Sequence, residues 1–202
     1  MRNNQPANPV EVALDDHVLV VSKTDLLGNI TYVNRDFVEI SGFSEAELLG
    51  QPHSVLRHPD MPLEVFEDMW RDLKAGRPWA GMIKNRCKNG DYYWVWSNAT
   101  PIRESGQASG YIWVRRKASP QQIQWAEATY TAFREKRSGR SKILHGGVVA
   151  GGLAGAIRQW LLNASSSQKI VLGMLVGLLL ILGGRPDCSV AMSRMPWMYR
   201  VG

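Results

Sequence analysis

The dipeptide Asn89-Gly90 constrains this chain more than any other short feature. Both residues tolerate the positive φ that tight hairpin turns demand, and the runs flanking them read as strands. Trp79 to Arg86 precedes the turn, and Asp91 to Ile102 follows it. Ser105-Gly106-Gln107 then turns the chain again, and Gly110 to Arg116 forms the next strand. Three consecutive antiparallel strands are therefore expected between residues 79 and 116.

The residues before Trp79 supply the rest of a small domain. His17 to Thr24 is apolar and β-branched, Asp25 to Asn29 is a turn, and Ile30 to Val33 returns as a second strand. Asn34 opens a short helix carrying Phe37, Val38 and Ile40, and Gly42 ends it. Ser44-Glu45-Ala46-Glu47 is a capping box that starts another short helix, ending at Gly50. Gln51 to Pro62 is a proline-rich loop. Val65, Phe66, Met69, Trp70 and Leu73 then follow helical spacing, and Gly76 stops that helix. The order β-β-α-α-α-β-β-β predicts the α+β class: a five-stranded antiparallel sheet with helices on one face. Trp94 and Trp96 alternate with Tyr93 and Val95, so both faces of their strand are apolar. A sheet of that kind is covered twice, here by a partner or a membrane-proximal segment.

Six of the eight Trp fall between residues 70 and 125, in the range where a core or an aromatic pocket would lie. The expected organisation is a flexible lead over 1–16, a compact sensory domain over 17–118, and a linker helix with a basic stretch over 119–142. A membrane-proximal segment over 143–169, a short apolar span over 170–184 and an atypical tail over 185–202 follow. Ser119 and Gln122 cap the linker helix, Pro120 sits at its first position, and Ile123, Ala126, Tyr130 and Phe133 line one side. That helix is expected to run to about Lys136.

The net charge of +6 is consistent with nucleic acid or an anionic membrane. Its distribution favours the membrane. Arg134, Lys136, Arg137, Arg140 and Lys142 lie shortly before apolar sequence, as cytoplasmic flanks do. Ile170 to Gly184 has 15 residues without a charge, against the roughly 20 that a spanning helix needs. The two cysteines, Cys87 and Cys188, form neither a metal pattern nor a disulfide framework, which fits a reducing compartment. Met1 to Val10 has no apolar core, so no cleavable signal peptide is expected.

Two features carry chemistry. The loop Arg57-His58-Pro59-Asp60-Met61-Pro62 gathers a cation, an imidazole and a carboxylate on a stiffened backbone. It can present fixed donors to an anionic or heteroaromatic ligand, or satisfy itself as a salt-bridged turn. On the strand before the Asn-Gly turn, Trp79, Gly81, Ile83, Asn85 and Cys87 share one face by period two. Asn85 interrupts that apolar face, so its amide needs a ligand's polar edge, the backbone or a buried water. Gly81 leaves room for something flat.

Asn34 with Phe37, the RHPDMP loop, Phe66 to Trp70 and the run Asn85 to Val95 (NRCKNGDYYWV) resemble a PAS domain, in particular that of bacterial aerotaxis receptors. The resemblance spans residues 10–145. It implies a PAS fold, noncovalently held FAD and a redox or oxygen sensor for aerotaxis rather than an enzyme. It carries the flavin site onto Asn34, Arg57, His58, Asp60, Trp79 and Asn85, with Phe66 and Trp94 as supporting aromatics and no metal. It also implies a homodimer at the bacterial inner membrane with the PAS domain in the cytoplasm, passing its signal to a HAMP segment and a chemotaxis signalling domain. The choice between FAD and FMN is open.

Other readings remain. His53 or His58 would be the axial ligand of a haem-binding PAS sensor, and a cofactor-free interaction module uses the same fold. His58 and Asp60 could serve acid–base work, but no nucleophile motif or phosphate loop accompanies them. Gln51-Pro52-His53-Ser54 holds no cysteine where flavin photoreceptors carry their reactive one. Gly184 to Gly202 lacks heptads, and either truncation or a frameshift, or a natural short receptor acting through a separate partner, is expected to account for that tail.

Overall fold

The structure, a computed structural model, describes residues 7–149 and residue 151. The elements are β1 (Val20–Thr24), β2 (Ile30–Val33), α1 (Arg35–Ser41), α2 (Glu45–Leu48), a 3-10 turn (His53–Leu56) and α3 (Leu63–Lys74). β3 (Trp79–Arg86), β4 (Tyr92–Glu104), β5 (Gln107–Lys117), α4 (Pro120–Arg134), β6 (Lys142–Leu144) and β7 (Gly147–Val149) follow. Strands β1 to β5 form one antiparallel sheet in the order β2-β1-β5-β4-β3, so the two sequence-distant halves meet at β1 and β5.

Local chemistry sets the element ends. Asp25 holds the β1–β2 turn by accepting from Leu27 N (2.9 Å), Asn29 N (2.8 Å) and Asn29 Nδ2 (2.9 Å). Ser44 and Glu47 form the expected capping box of α2, and Ser119 and Gln122 form that of α4 behind Pro120. At the Asn-Gly turn the loop is longer than two residues. Cys87 N donates to Asp91 O (2.7 Å), Gly90 takes φ +100°, and Asn89 pairs with Asp91 through Nδ2 (2.7 Å).

Cross-strand register divides the sheet into two faces. Val20, Ser22 and Thr24 stand opposite Arg115, Trp113 and Tyr111, and these stand level with Ser97, Ala99, Gly81 and Trp79. This inner face carries Phe37, Leu48, Leu56, Val65 and Met69 of the first three helices and the 3-10 turn as its buried cover. The outer face presents Lys84 opposite Trp94 and Met82 opposite Trp96.

Several expectations need correction. The outer face is covered over β3 and β4 by α4 of the same chain, not by a partner or membrane-proximal segment. Ala126, Tyr130 and Phe133 are buried there, and Tyr130 Oη donates to Met82 O (2.8 Å). Helices therefore lie on both faces, because both faces are apolar. The lead is not loose over residues 8–14. Asn8 N donates to Gly90 O (2.7 Å), Val12 N to Tyr92 O (2.7 Å), and Leu14 is buried. The segment after α4 folds back as the hairpin β6–β7, and the rest of the stretch 143–169, expected as membrane-proximal, lies outside the described residues apart from residue 151. The stretch 170–184 and the tail 185–202 lie outside the described residues. Among the described residues, no helix is long and apolar enough to cross a membrane.

Candidate functional site

A cavity of about 490 Å3 separates the inner face of the sheet from α3 and the 3-10 turn. Its size is that of a small-molecule site. The sheet side is Ile83, Asn85, Ser97, Trp113 and Arg115; the helix side is Phe66, Met69 and Trp70; His53 and Arg57 close one end. Trp70 meets Trp113 edge-on at 6.2 Å between ring centroids, and His53 stacks on Trp113 at 4.7 Å. Exposed Leu27, Glu67 and Lys74 stand at its rim.

Arg115 dominates the electrostatics. It is only 1% exposed, and its two terminal nitrogens donate to Ser22 Oγ at 3.2 and 3.3 Å. One of them also reaches His53 Nε2. Among the described residues it has no carboxylate partner. Burial lowers its pKa to about 10, so it stays charged at neutral pH. Burial and then the Arg115 charge hold His53 well below the usual histidine range, so its ring is neutral and Nε2 accepts from the guanidinium. Two further polar atoms in the cavity wall, Asn85 Nδ2 and Ser97 Oγ, are buried without a hydrogen-bond partner among the described residues.

Of the eight residues expected at the site, three come together in the cavity wall: Arg57, Phe66 and Asn85. The Arg57 guanidinium lies 4.1 Å from the Phe66 ring centre and donates to Met61 O (3.1 Å). Backbone bridging joins Arg57 to Asn85 at the free edge of β3. The chain crosses that edge here, so the next residues of the RHPDMP loop turn to the outer side.

The other five lie elsewhere, each for a physical reason. His58 packs edge-on against Tyr92, and Asp60 pairs with Lys84 Nζ (3.0 Å) and with Arg134 of α4 (2.8 Å). Burial, then the Lys84 charge, lowers the His58 pKa to about 4. Burial pushes Asp60 upward, but the hydrogen bond from Lys84 and the surrounding cations hold it below its ordinary value. Asn34 is spent on the backbone: Oδ1 accepts from Val21 N (2.9 Å) and Phe37 N (3.2 Å), while Nδ2 donates to Leu19 O (2.7 Å). Trp79 is buried and donates from Nε1 to Asp68 Oδ2 (2.8 Å), bracing α3. Trp94 lies on the outer face against Tyr130.

Sequence reasoning missed Arg115, Ser97, Trp70 and Trp113 as site residues. A signal existed for two of them: by period two Tyr111, Trp113 and Arg115 share a face, which sets a cation on an aromatic stripe. Cys87 lies outside the cavity wall, and its Sγ donates to Ile40 O (3.2 Å). Burial raises its pKa to about 11, which leaves it a poor nucleophile.

A five-stranded antiparallel sheet cupping a ligand-sized cavity beneath short helices defines a class, and residues 30–115 match the PAS fold family. Within the chain, the matched residues run from β2 into β5 and enclose the cavity-lining part of the sheet. An aerotaxis receptor is among the proteins the chain is similar to. It is 47% identical over 136 residues to the aerotaxis receptor of Escherichia coli (strain K12), covering 67% of this chain and 26% of that protein. It is 33% identical over 102 residues to the nitrogen fixation regulatory protein of Klebsiella pneumoniae, covering 50% of this chain and 21% of that protein. The matched region thus spans about a quarter or less of these relatives' lengths. A PAS domain from Colwellia psychrerythraea is 27% identical, with 51% of this chain and 89% of that one covered at a TM-score of 0.46.

Proposed function

We propose that the cavity holds a flavin and that the domain reports its redox state in aerotaxis signalling. The observation that carries this reading is Arg115, a buried cation without a carboxylate partner among the described residues, facing the same space as Asn85 Nδ2 and Ser97 Oγ, which have no hydrogen-bond partner among them either. A buried charge and buried donors without acceptors are costly unless a ligand completes them. All three groups can donate, so the ligand they fit is rich in acceptors and tolerates added negative charge. Trp70, Trp113 and Phe66 offer aromatic walls for a flat ring.

A bound flavin supplies reversible electron exchange, gaining negative charge or protons at its ring on reduction. The chain's own part is electrostatic. Arg115 sets a positive potential at the inner face, and neutral His53 fixes the guanidinium in place. Asn85 and Ser97 offer donors whose alignment follows the acceptor they meet. Arg57 closes one end, and its loop leads directly to the Asp60–Arg134 pair on α4. FAD is proposed over FMN on the relationship to the aerotaxis receptor. On the same ground we assign the chain to the cytoplasmic side of a bacterial inner membrane, as a homodimer, with 170–184 as tether and a HAMP segment and signalling domain as its partners.

The haem alternative is weaker on geometry. His53 Nε2 is engaged by Arg115, and His58 is turned to the outer face. The test is an absorption spectrum of the purified full chain, with mass identification of the released cofactor. Paired flavin bands and an FAD mass are expected. A Soret band, or colourless protein that takes up no added FAD, would overturn the reading.

A further inference from the structure

The helix α3 has two buried stripes with different duties. Phe66, Met69 and Trp70 line the cavity. Asp68 and Asp72, one turn apart, are 1% and 0% exposed and face the hairpin β6–β7, the last described element of the chain. Asp68 accepts from His145 N (3.0 Å), Gly146 N (2.7 Å) and Trp79 Nε1, and pairs with Arg71. Asp72 meets His145 Nδ1 (2.6 Å) and Arg77 Nη2 (2.7 Å). About half of the donors that satisfy these two carboxylates therefore come from the hairpin turn.

The turn is also seated on the sheet. Gly146 takes φ +76°, and a Cβ there would lie 1.7 Å from Ala80 O of β3. Only glycine permits that approach. The hairpin thus touches both elements that wall the cavity, α3 through its carboxylates and β3 through Ala80. Buried carboxylates demand their donors, so a small displacement of α3 does not stretch this contact gradually; it holds or it lets go.

We propose that the β6–β7 hairpin is a latch on Asp68 and Asp72 that docks or releases with the state of the cavity. The proposal rests on the cavity being the flavin site. It gives that site an output carried by α3 as a rigid lever. A ligand change felt at Phe66, Met69 and Trp70 is felt one stripe away at the two carboxylates.

The experiment is hydrogen–deuterium exchange on the full chain in detergent, with flavin content read by absorbance in every sample. Amides of residues 142–149 are followed with the flavin oxidised and after dithionite reduction, and amides of β1 serve as the internal reference. The expected result is a several-fold change in hairpin exchange between the two states, with β1 unchanged. Gly146→Ala is expected to exchange fast in both states at undiminished flavin content, because it blocks docking without touching the cavity. Equal hairpin exchange in both states of flavin-containing protein overturns the latch and leaves the flavin reading intact. Protein without flavin overturns the flavin reading instead. In that case Phe66→Leu, which alters only the cavity stripe of α3, decides the latch. Several-fold faster hairpin exchange at unchanged β1 exchange supports it, and no change overturns it.

Discussion

Asn85 Nδ2 and Ser97 Oγ, like the neighbouring Tyr93 hydroxyl, are buried without a hydrogen-bond partner among the described residues, and Arg115, bonded to Ser22 and His53, lacks a countercharge there. Removing an unpartnered donor costs the empty protein little, whereas it costs a bound ligand one hydrogen bond. Asn85→Ala and Ser97→Ala are therefore expected to weaken flavin binding by about 0.5–1.5 kcal/mol each, roughly 2–12-fold, with the melting temperature of flavin-free protein unchanged or higher. Titration of stripped protein with FAD and a thermal melt check the two halves. Arg115→Met is expected to abolish flavin retention without unfolding the chain. The buried histidines give a pH prediction. His58 falls from 6.5 to about 4 on folding, so below pH 6.5 the unfolded chain binds a proton that the folded one refuses. Stability is therefore lost as pH falls from 6.5 towards 4, and the depressed His53 adds in the same direction. Urea midpoints measured at pH 7 and pH 5 should show the loss, and His58→Gln should reduce it.

At the scale of elements, α4 is held at its start and along its length by separable contacts. Its start depends on Ser119, whose Oγ accepts from Gln122 N (3.2 Å). Ser119→Ala is expected to cost about 1 kcal/mol. Tyr130→Phe removes the bond to Met82 O but keeps the ring against Trp94, and is expected to cost about 1 kcal/mol. The two sites lie well apart along the helix, so the double variant should lose close to the sum in denaturant melts. Elements of this kind are legible in the amino-acid sequence. Caps, glycine stops and the Asn-Gly turn act within a few residues, and alternation reports a strand's two faces directly. The hairpin β6–β7 is not legible there. Its strands are three residues each, and their apolar, glycine-rich sequence has no period of its own. It exists because Asp68 and Asp72, more than 70 residues earlier, accept its backbone and its histidine.

For the whole molecule, the described part is a PAS domain with its own core and a fold-back hairpin, and the sequence beyond it turns apolar. The full chain is expected to stay with the membrane fraction after alkaline washing. Release into the supernatant would remove the tether assigned to 170–184. Chain patterning by itself determined the α+β class, the starts or stops of the helices, and the order of the five strands along the chain, because each depends on neighbours in sequence. Asn85 was also legible as an interruption of an apolar face. What only the tertiary structure decided is which side each group serves. The RHPDMP loop crosses the free edge of β3, so Arg57 enters the cavity while His58 and Asp60 join α4. Arg115 gains its meaning from Ser22, 93 residues away, and from the absence of any acid around it among the described residues. A residue's spacing sets which face of a strand it occupies. Whether that face meets a ligand, a helix or a countercharge depends on elements that approach from elsewhere in the chain.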